Sequence, residues 1–150
     1  MLNLKESPAE FKRILVGVDP SADAQYAFEQ AIQRAKENNA DLIITNIIER
    51  RDNNKSLILN KDFLHKNHAN LEEEINDYRD QALADGVKNV ETIVAQGNVG
   101  ETIVGKVIPK SNADLLIVGS LDKTGVSKFF GSQAAYMAKY APISVMVLRK

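Results

Sequence analysis

The sequence predicts an open α/β domain in which one sheet of five parallel strands is doubly wound by helices on both faces. Three observations lead there. Short β-branched runs lack the alternation of a half-solvated strand, segments of helical periodicity separate them, and most of the runs stop on Asp, Gly or Asn. Strands that alternate with helices run parallel, because each crossover returns the chain to the same end of the sheet.

Residues 13–19 are a β-branched run stopped by Asp19, Pro20 and Ser21, and they read as a strand buried on both faces. The helix after it places Ala24, Ala27, Phe28, Ala31, Ile32 and Ala35 at three- and four-residue steps, with Ser21 positioned to cap it and Asn38–Asn39 to end it. Residues 42–48 form a second buried strand. From 49 to 60 the chain is charged, Asn-rich and aperiodic, which predicts a flexible loop. Leu64, His68, Leu71, Ile75, Tyr78 and Ala82 then give the cleanest helical stripe, with Gly86 placed to terminate it. Residues 87–95 are a third strand, and Ile103, Val104, Val107 and Ile108 mark a short helix closed by Pro109. A fourth strand covers 114–119. After a polar loop come a helix over 132–140 and, introduced by Pro142, a last strand over 143–148.

The 150 residues are expected to form a single domain, 1–150, with 1–10 as an N-terminal extension. Cysteine is absent, which excludes a disulfide framework, a thiolate metal site and a cysteine nucleophile, and suits a reducing, cytoplasmic setting. Apolar runs are far shorter than the roughly 20 residues that span a bilayer, so no membrane partner is expected. Lys plus Arg number 19 against Asp plus Glu 20, without a basic block, which argues against nucleic acid because phosphate-backbone binding needs clustered cations.

In sheets of this kind ligands sit beyond the carboxyl ends of the strands, where the strand order reverses, so the residues leaving each strand carry the functional information. They are Asp19, Ile48-Glu49, Gln96-Gly97-Asn98 and the stretch 119–125, which leads to Gly131-Ser132 at a helix start. Backbone amides and a hydroxyl at the positive end of a helix form an anion cradle. A plain helix cap by Ser132 explains the same pair without any ligand.

Taken together, the strand ending in Val18-Asp19, the second-strand stretch 44–48, the stretch 113–120 (ADLLIVGS), the pair Gly131-Ser132 and the segment 140–149 (YAPISVMVLR) resemble the universal stress protein family over about nine-tenths of the chain. The resemblance implies a Rossmann-like sheet of the adenine nucleotide alpha hydrolase type, a homodimer formed through the last strand, and a non-enzymatic role in stress response. In one branch it also implies ATP, with Mg2+ accompanying it, at the switch point between the first and fourth strands. Residue by residue, it assigns the nucleoside to Val18, Asp19 and Ile47. It assigns the ribose and phosphates to Val118, Gly119, Asp122, Gly131, Ser132 and Gln133.

The loop after the fourth strand and the helix start depart from the family pattern. Asp122 stands where the ATP-binding branch has a second glycine, and eight rather than nine residues separate it from Gly131. A carboxylate facing a phosphate is repelled by about 4 kcal/mol at 4 Å in an effective dielectric of 20. Lys123 or Lys128 could offset that charge, and Gly125 could supply a shifted turn. Ala134 offers no hydroxyl where that branch often has one. A nucleotide-free family member acting as a protein-interaction module is therefore the alternative reading.

Other chemistry is less well supported. His65 and His68 stand three residues apart near Glu72, a spacing that could approach a metal, but an amphipathic Glu-rich helix places them more naturally at a solvated boundary. Neither lies near a strand end, so no nucleophile–His–acid arrangement can be drawn. Val94-Ala95-Gln96 lacks the aspartate of a phospho-acceptor receiver, residues 19–23 are not a flavodoxin phosphate loop, and no Gly-x-x-x-x-Gly-Lys-Ser/Thr occurs.

Overall fold

The computed structural model describes residues 10–49, 61–120 and 131–150, with backbone alone over 61–69. Its sheet contains β1 (Arg13–Gly17), β2 (Asp41–Ile48), β3 (Val90–Gln96), β4 (Leu115–Gly119) and β5 (Ser144–Leu148). All pairings are parallel and the order is β3-β2-β1-β4-β5. Leu15 lies opposite Ile43 on one side and Leu116 on the other, so β1 is central and the order reverses between β1 and β4. The predicted sheet and its switch point are both observed.

Alternation along each strand divides the core in two. Ile14, Val16, Leu42, Ile44, Leu115 and Ile117 face α1 (Ala22–Asn38) and α2 (Lys61–Ala84). Leu15, Ile43, Leu116 and Val118 face the opposite layer, built from a helical segment over 99–111, here α3, and from α4 (Ser132–Tyr140). Strands buried on both faces have no solvent side to encode, which is why their sequences read as continuous apolar runs. On the first face Phe28 meets Tyr78 edge-on, with centroids 5.0 Å apart.

Local signals account for the helix ends. Ser21 caps α1 by accepting the Ala24 amide at 3.1 Å. At the other end Asn39 adopts left-handed angles (φ 51°), while the amides of Ala40 and Asn39 donate to the carbonyls of Ala35 and Lys36. The same paired closure ends α2: Val87 donates to Ala82 and Gly86 (φ +107°) to Leu83. Because the Val87 amide is spent on that cap, β3 begins at Val90, three residues after the start the apolar run suggested.

Around Pro109 the helix is longer than the sequence indicates. Asn98 accepts the Glu101 amide and starts α3 at Val99, a polar cap with Glu three residues on that the apolar pattern alone does not register. Pro109 does not close it. Residues Ile103–Val107 form a π-helical turn in which the Ile108 amide reaches back to the Ile103 carbonyl. The widened turn brings the proline into the last α-helical turn, Ile108–Ser111, and Asn112 at φ 53° ends the helix.

At the amino ends of the strands, Arg13 fastens the sheet together. Its guanidinium donates to Asp41 at 2.8 Å, to Glu91 at 2.6 Å and to the Ser111 carbonyl at 2.9 Å. The hydrogen bond and charge of Glu91, followed by those of Asp41, raise the Arg13 pKa above its ordinary value, burial opposing. Asp114 meanwhile accepts the amides of Lys12 and Arg13. Arg13→Met is expected to cost about 1–2 kcal/mol in urea denaturation, the figure being reduced because the groups are part-exposed. The loss should shrink in 1 M salt, and a salt-independent loss would assign Arg13 to packing instead.

Candidate functional site

Where the order reverses, the carboxyl ends of β1 and β4 diverge into opposite layers and leave a cleft of about 240 Å³. The volume falls slightly below the roughly 300–1,000 Å³ usual for small-molecule sites. Ile47, Val99, Ile103, Val118 and Met137, which pack in one cluster, supply an apolar lining, and Asp19, Ser21, Asn46, Glu49, Ser132 and Gln133 supply polar groups. Such a surface suits a ligand with one flat apolar part and one polar part.

Each wall has a local cause. Asp19 leaves β1 in a tight turn: its Oδ1 accepts the Ser21 amide at 2.7 Å, and its carbonyl accepts the Gln25 side chain at 3.3 Å. Val18 donates to the Thr45 carbonyl, while the Thr45 hydroxyl donates to the Ile93 carbonyl, so the residue leaving β1 is tied through Thr45 to the middle of β3. Gly17 has room for a side chain, since a Cβ there would make ordinary van der Waals contacts, 3.6 Å from Val118 and 3.8 Å from Ile103.

Gly119 is the opposite case. A Cβ on it would lie 2.8 Å from the Ala24 nitrogen and 2.8 Å from the Asp23 carbonyl carbon, so β4 runs against the start of α1 backbone to backbone. Just beyond it, the Gly131 amide donates to the Ser120 carbonyl at 2.8 Å and draws the start of α4 to the end of β4. Gly131, not Ser132, is the capping residue; Ser132 is the first helical residue and is exposed beside the cleft. Gln133 accepts the Gly100 amide at 2.8 Å, which joins the starts of α3 and α4.

Val18, Asp19, Ile47, Val118, Gly119, Gly131, Ser132 and Gln133, drawn from three strand ends and one helix start, are thus brought to one cleft. Asp122, Lys123, Gly125 and Lys128 lie outside the described residues, as do the side chains of His65 and His68 on α2. Thr45, Asn46, Val99 and Met137 also line the cleft and were not singled out. Thr45 and Asn46 carried a usable signal, two polar residues in an otherwise apolar buried strand, whereas Met137 reads only as helix core.

A family model described as the universal stress protein family matches residues 10–149. The chain belongs to the universal stress protein family. A relative from Staphylococcus aureus (strain USA300), assigned by name to the same family, is 35% identical over 140 residues, 93% of this chain and 84% of its own length. Among solved structures, the family member UspA from Lactobacillus plantarum superposes with a TM-score of 0.81 at 23% identity, covering 94% of this chain and 99% of its own. Two further solved members were determined with adenine nucleotides. One, from Archaeoglobus fulgidus, holds dAMP (TM-score 0.66, 16% identity, 93% and 98% covered), and the other holds cAMP (0.68, 22%, 93% and 97%). At these identities the structural likeness establishes the fold.

Gly17 and Gly119, two of the three glycines that line the cleft, should respond in opposite ways. Gly119→Ala is expected to lose about 1–3 kcal/mol in thermal or chemical denaturation, because backbone rather than a flexible side chain must give way. Gly17→Ala should stay within about 1 kcal/mol of the parent. Equal losses would contradict the close approach described for Gly119.

Proposed function

We propose that this universal stress protein binds an adenine nucleotide in the cleft between β1 and β4 and acts in stress response as a cytoplasmic homodimer. The observation that carries the reading is the meeting of an apolar slot (Ile47, Val99, Ile103, Val118, Met137) with a helix start at Gly131-Ser132 beside the strand reversal. The slot suits a purine ring, and the first amides of α4 with the Ser132 hydroxyl suit a phosphate. Nucleotide complexes of related proteins support the same ligand class.

Ionic chemistry shapes the details. The described lining contains the carboxylates of Asp19 and Glu49 and no Lys, Arg or His. Among the described residues no group of three potential ligands could hold a metal ion. Mg2+ would therefore arrive with the phosphates of ATP and take at most one or two protein carboxylates, Asp19 the foremost. We assign the cleft no catalysis, since its described lining presents neither a histidine base nor an arginine to a phosphoryl group. Asp122 favours a nucleotide-free interaction module as the rival reading.

Titration of ATP, ADP and AMP, with and without Mg2+, against thermal unfolding separates the two. At a hundredfold excess over Kd, binding should add about 2.7 kcal/mol to stability. A midpoint indifferent to every adenine nucleotide at millimolar concentration would favour the interaction module. Gly17→Val, which projects methyl groups into the slot, should remain folded and weaken binding at least tenfold by calorimetry.

For the dimer, β5 forms one edge of the sheet, with half-buried Val145, Met146, Val147 and Leu148 beside unpaired backbone, a surface that pairing between copies would cover. Sedimentation at micromolar concentration should give twice the protomer mass, and Val147→Lys should return the monomer. A wild-type monomer at those concentrations would remove this part of the reading.

A further inference from the structure

Behind the cleft wall lies a carboxylate that nucleotide binding does not itself use. Asp23, second residue of α1, is 1% exposed. Its Oδ2 accepts the Ser120 hydroxyl at 2.7 Å and its Oδ1 accepts the Lys150 amide at 3.0 Å. An acidic residue in the first turn of a helix gains from the dipole even when solvated, so the dipole alone gives no reason to bury it. Burial of a carboxylate is costly without strong, directed partners, and these two hold α1, the end of β4 and the segment after β5 in one arrangement.

Ser120 extends the connection. It is also 1% exposed, its amide donates to the Leu148 carbonyl at 2.9 Å, and its carbonyl accepts the Gly131 amide at 2.8 Å. Gly119 before it, Gly131 bonded to it and Ala24 after Asp23 all line the cleft. The residues that would touch a ligand are therefore one covalent or hydrogen-bonded step from the Asp23–Ser120 pair, and residues 148 and 150 are one step away on its other side.

The geometry points to Asp23 as a positioning residue for the cleft, one that links occupation of the cleft to order in residues 148–150, at and just past the end of β5. The inference rests on the nucleotide reading and adds a regulatory path to it. A ligand that fixes Gly119 and Gly131 fixes Ser120, hence Asp23, hence the Lys150 amide. By reciprocity, anything that immobilises 148–150 improves binding by the same factor.

Hydrogen exchange of the full chain, with and without AMP, tests the link. In the wild type, AMP should slow exchange at the Ser120 and Lys150 amides about fivefold or more. Ser120→Ala, which removes one hydroxyl and keeps the backbone bonds, should weaken AMP about fivefold and abolish the slowing at 150. Asp23→Asn, which can still bond both partners, should recover much of it. Arg13→Met serves as the control, because it loosens the opposite end of the sheet without touching the link and should leave the AMP-dependent slowing intact.

AMP binding with unchanged exchange at Lys150 would overturn the link and leave the nucleotide reading standing. Loss of the slowing in Arg13→Met as well as in Ser120→Ala would also overturn it, as a general loosening. Absence of any AMP binding would overturn the nucleotide reading, and the positioning role would then stand or fall in ligand-free protein. There Ser120→Ala must accelerate exchange at both Gly131 and Lys150 relative to wild type, and equal rates would reject it.

Discussion

Everything else in the molecule is arranged around β1, which must satisfy a parallel neighbour on each edge and a helical layer on each face at once. Ile14, Leu15 and Val16 are fully excluded from solvent, and their backbone pairs with β2 on one side and β4 on the other. Since β2 and β4 leave for opposite faces, the chain cannot close over the top of β1, and the hollow there follows from connectivity rather than from any particular side chain. The sequence then equips the hollow, with Gly17 presenting no side chain to its lining and Gly119 allowing β4 to close against α1.

The two ends of the sheet have been put to different uses. At the amino ends, Arg13 and Asp114 cross-link neighbouring segments through charge-assisted bonds. At the carboxyl ends, much of the polar capacity is spent on shaping turns: Asp19 on Ser21, Gln133 on Gly100, Ser120 on Asp23. The cleft is bordered by short bonds between different elements. Such a border can be set by a few residues and altered by few substitutions.

Legibility from sequence followed the physics of each feature. Continuous β-branched runs and three-to-four spacing gave the strands and α1 directly, because burial on two faces or on one stripe leaves a period that can be read. The Asn39 and Gly86 endings were legible since left-handed closure selects those residues. The start and length of α3 were not, because Asn98 acts through its side chain and the proline is accommodated by a backbone register that no hydropathy period encodes. At the site, residues adjacent to strand ends could be named in advance. Val99 and Met137 could not, since they arrive from the opposite layer through packing, and Asp23 was hidden because its partners stand 97 and 127 positions away.

The π-helical turn of α3 gives this helix more chain than its axial length demands. Because of that surplus, Ile103, Val107 and Ile108 can all point inward, and Gly105 at the outer side of the bulge meets nothing within 4 Å. Excision of a single residue at that point would leave Ile103 and Ile108 four positions apart, on one face of an ordinary α-helix, so the turns on either side would keep nearly the same facing while the bulge disappears. The spare residue is thus absorbed where it stands: the beginning of the helix, which borders the cleft, and its last turn, which delivers the chain to β4, keep a common inward face despite it.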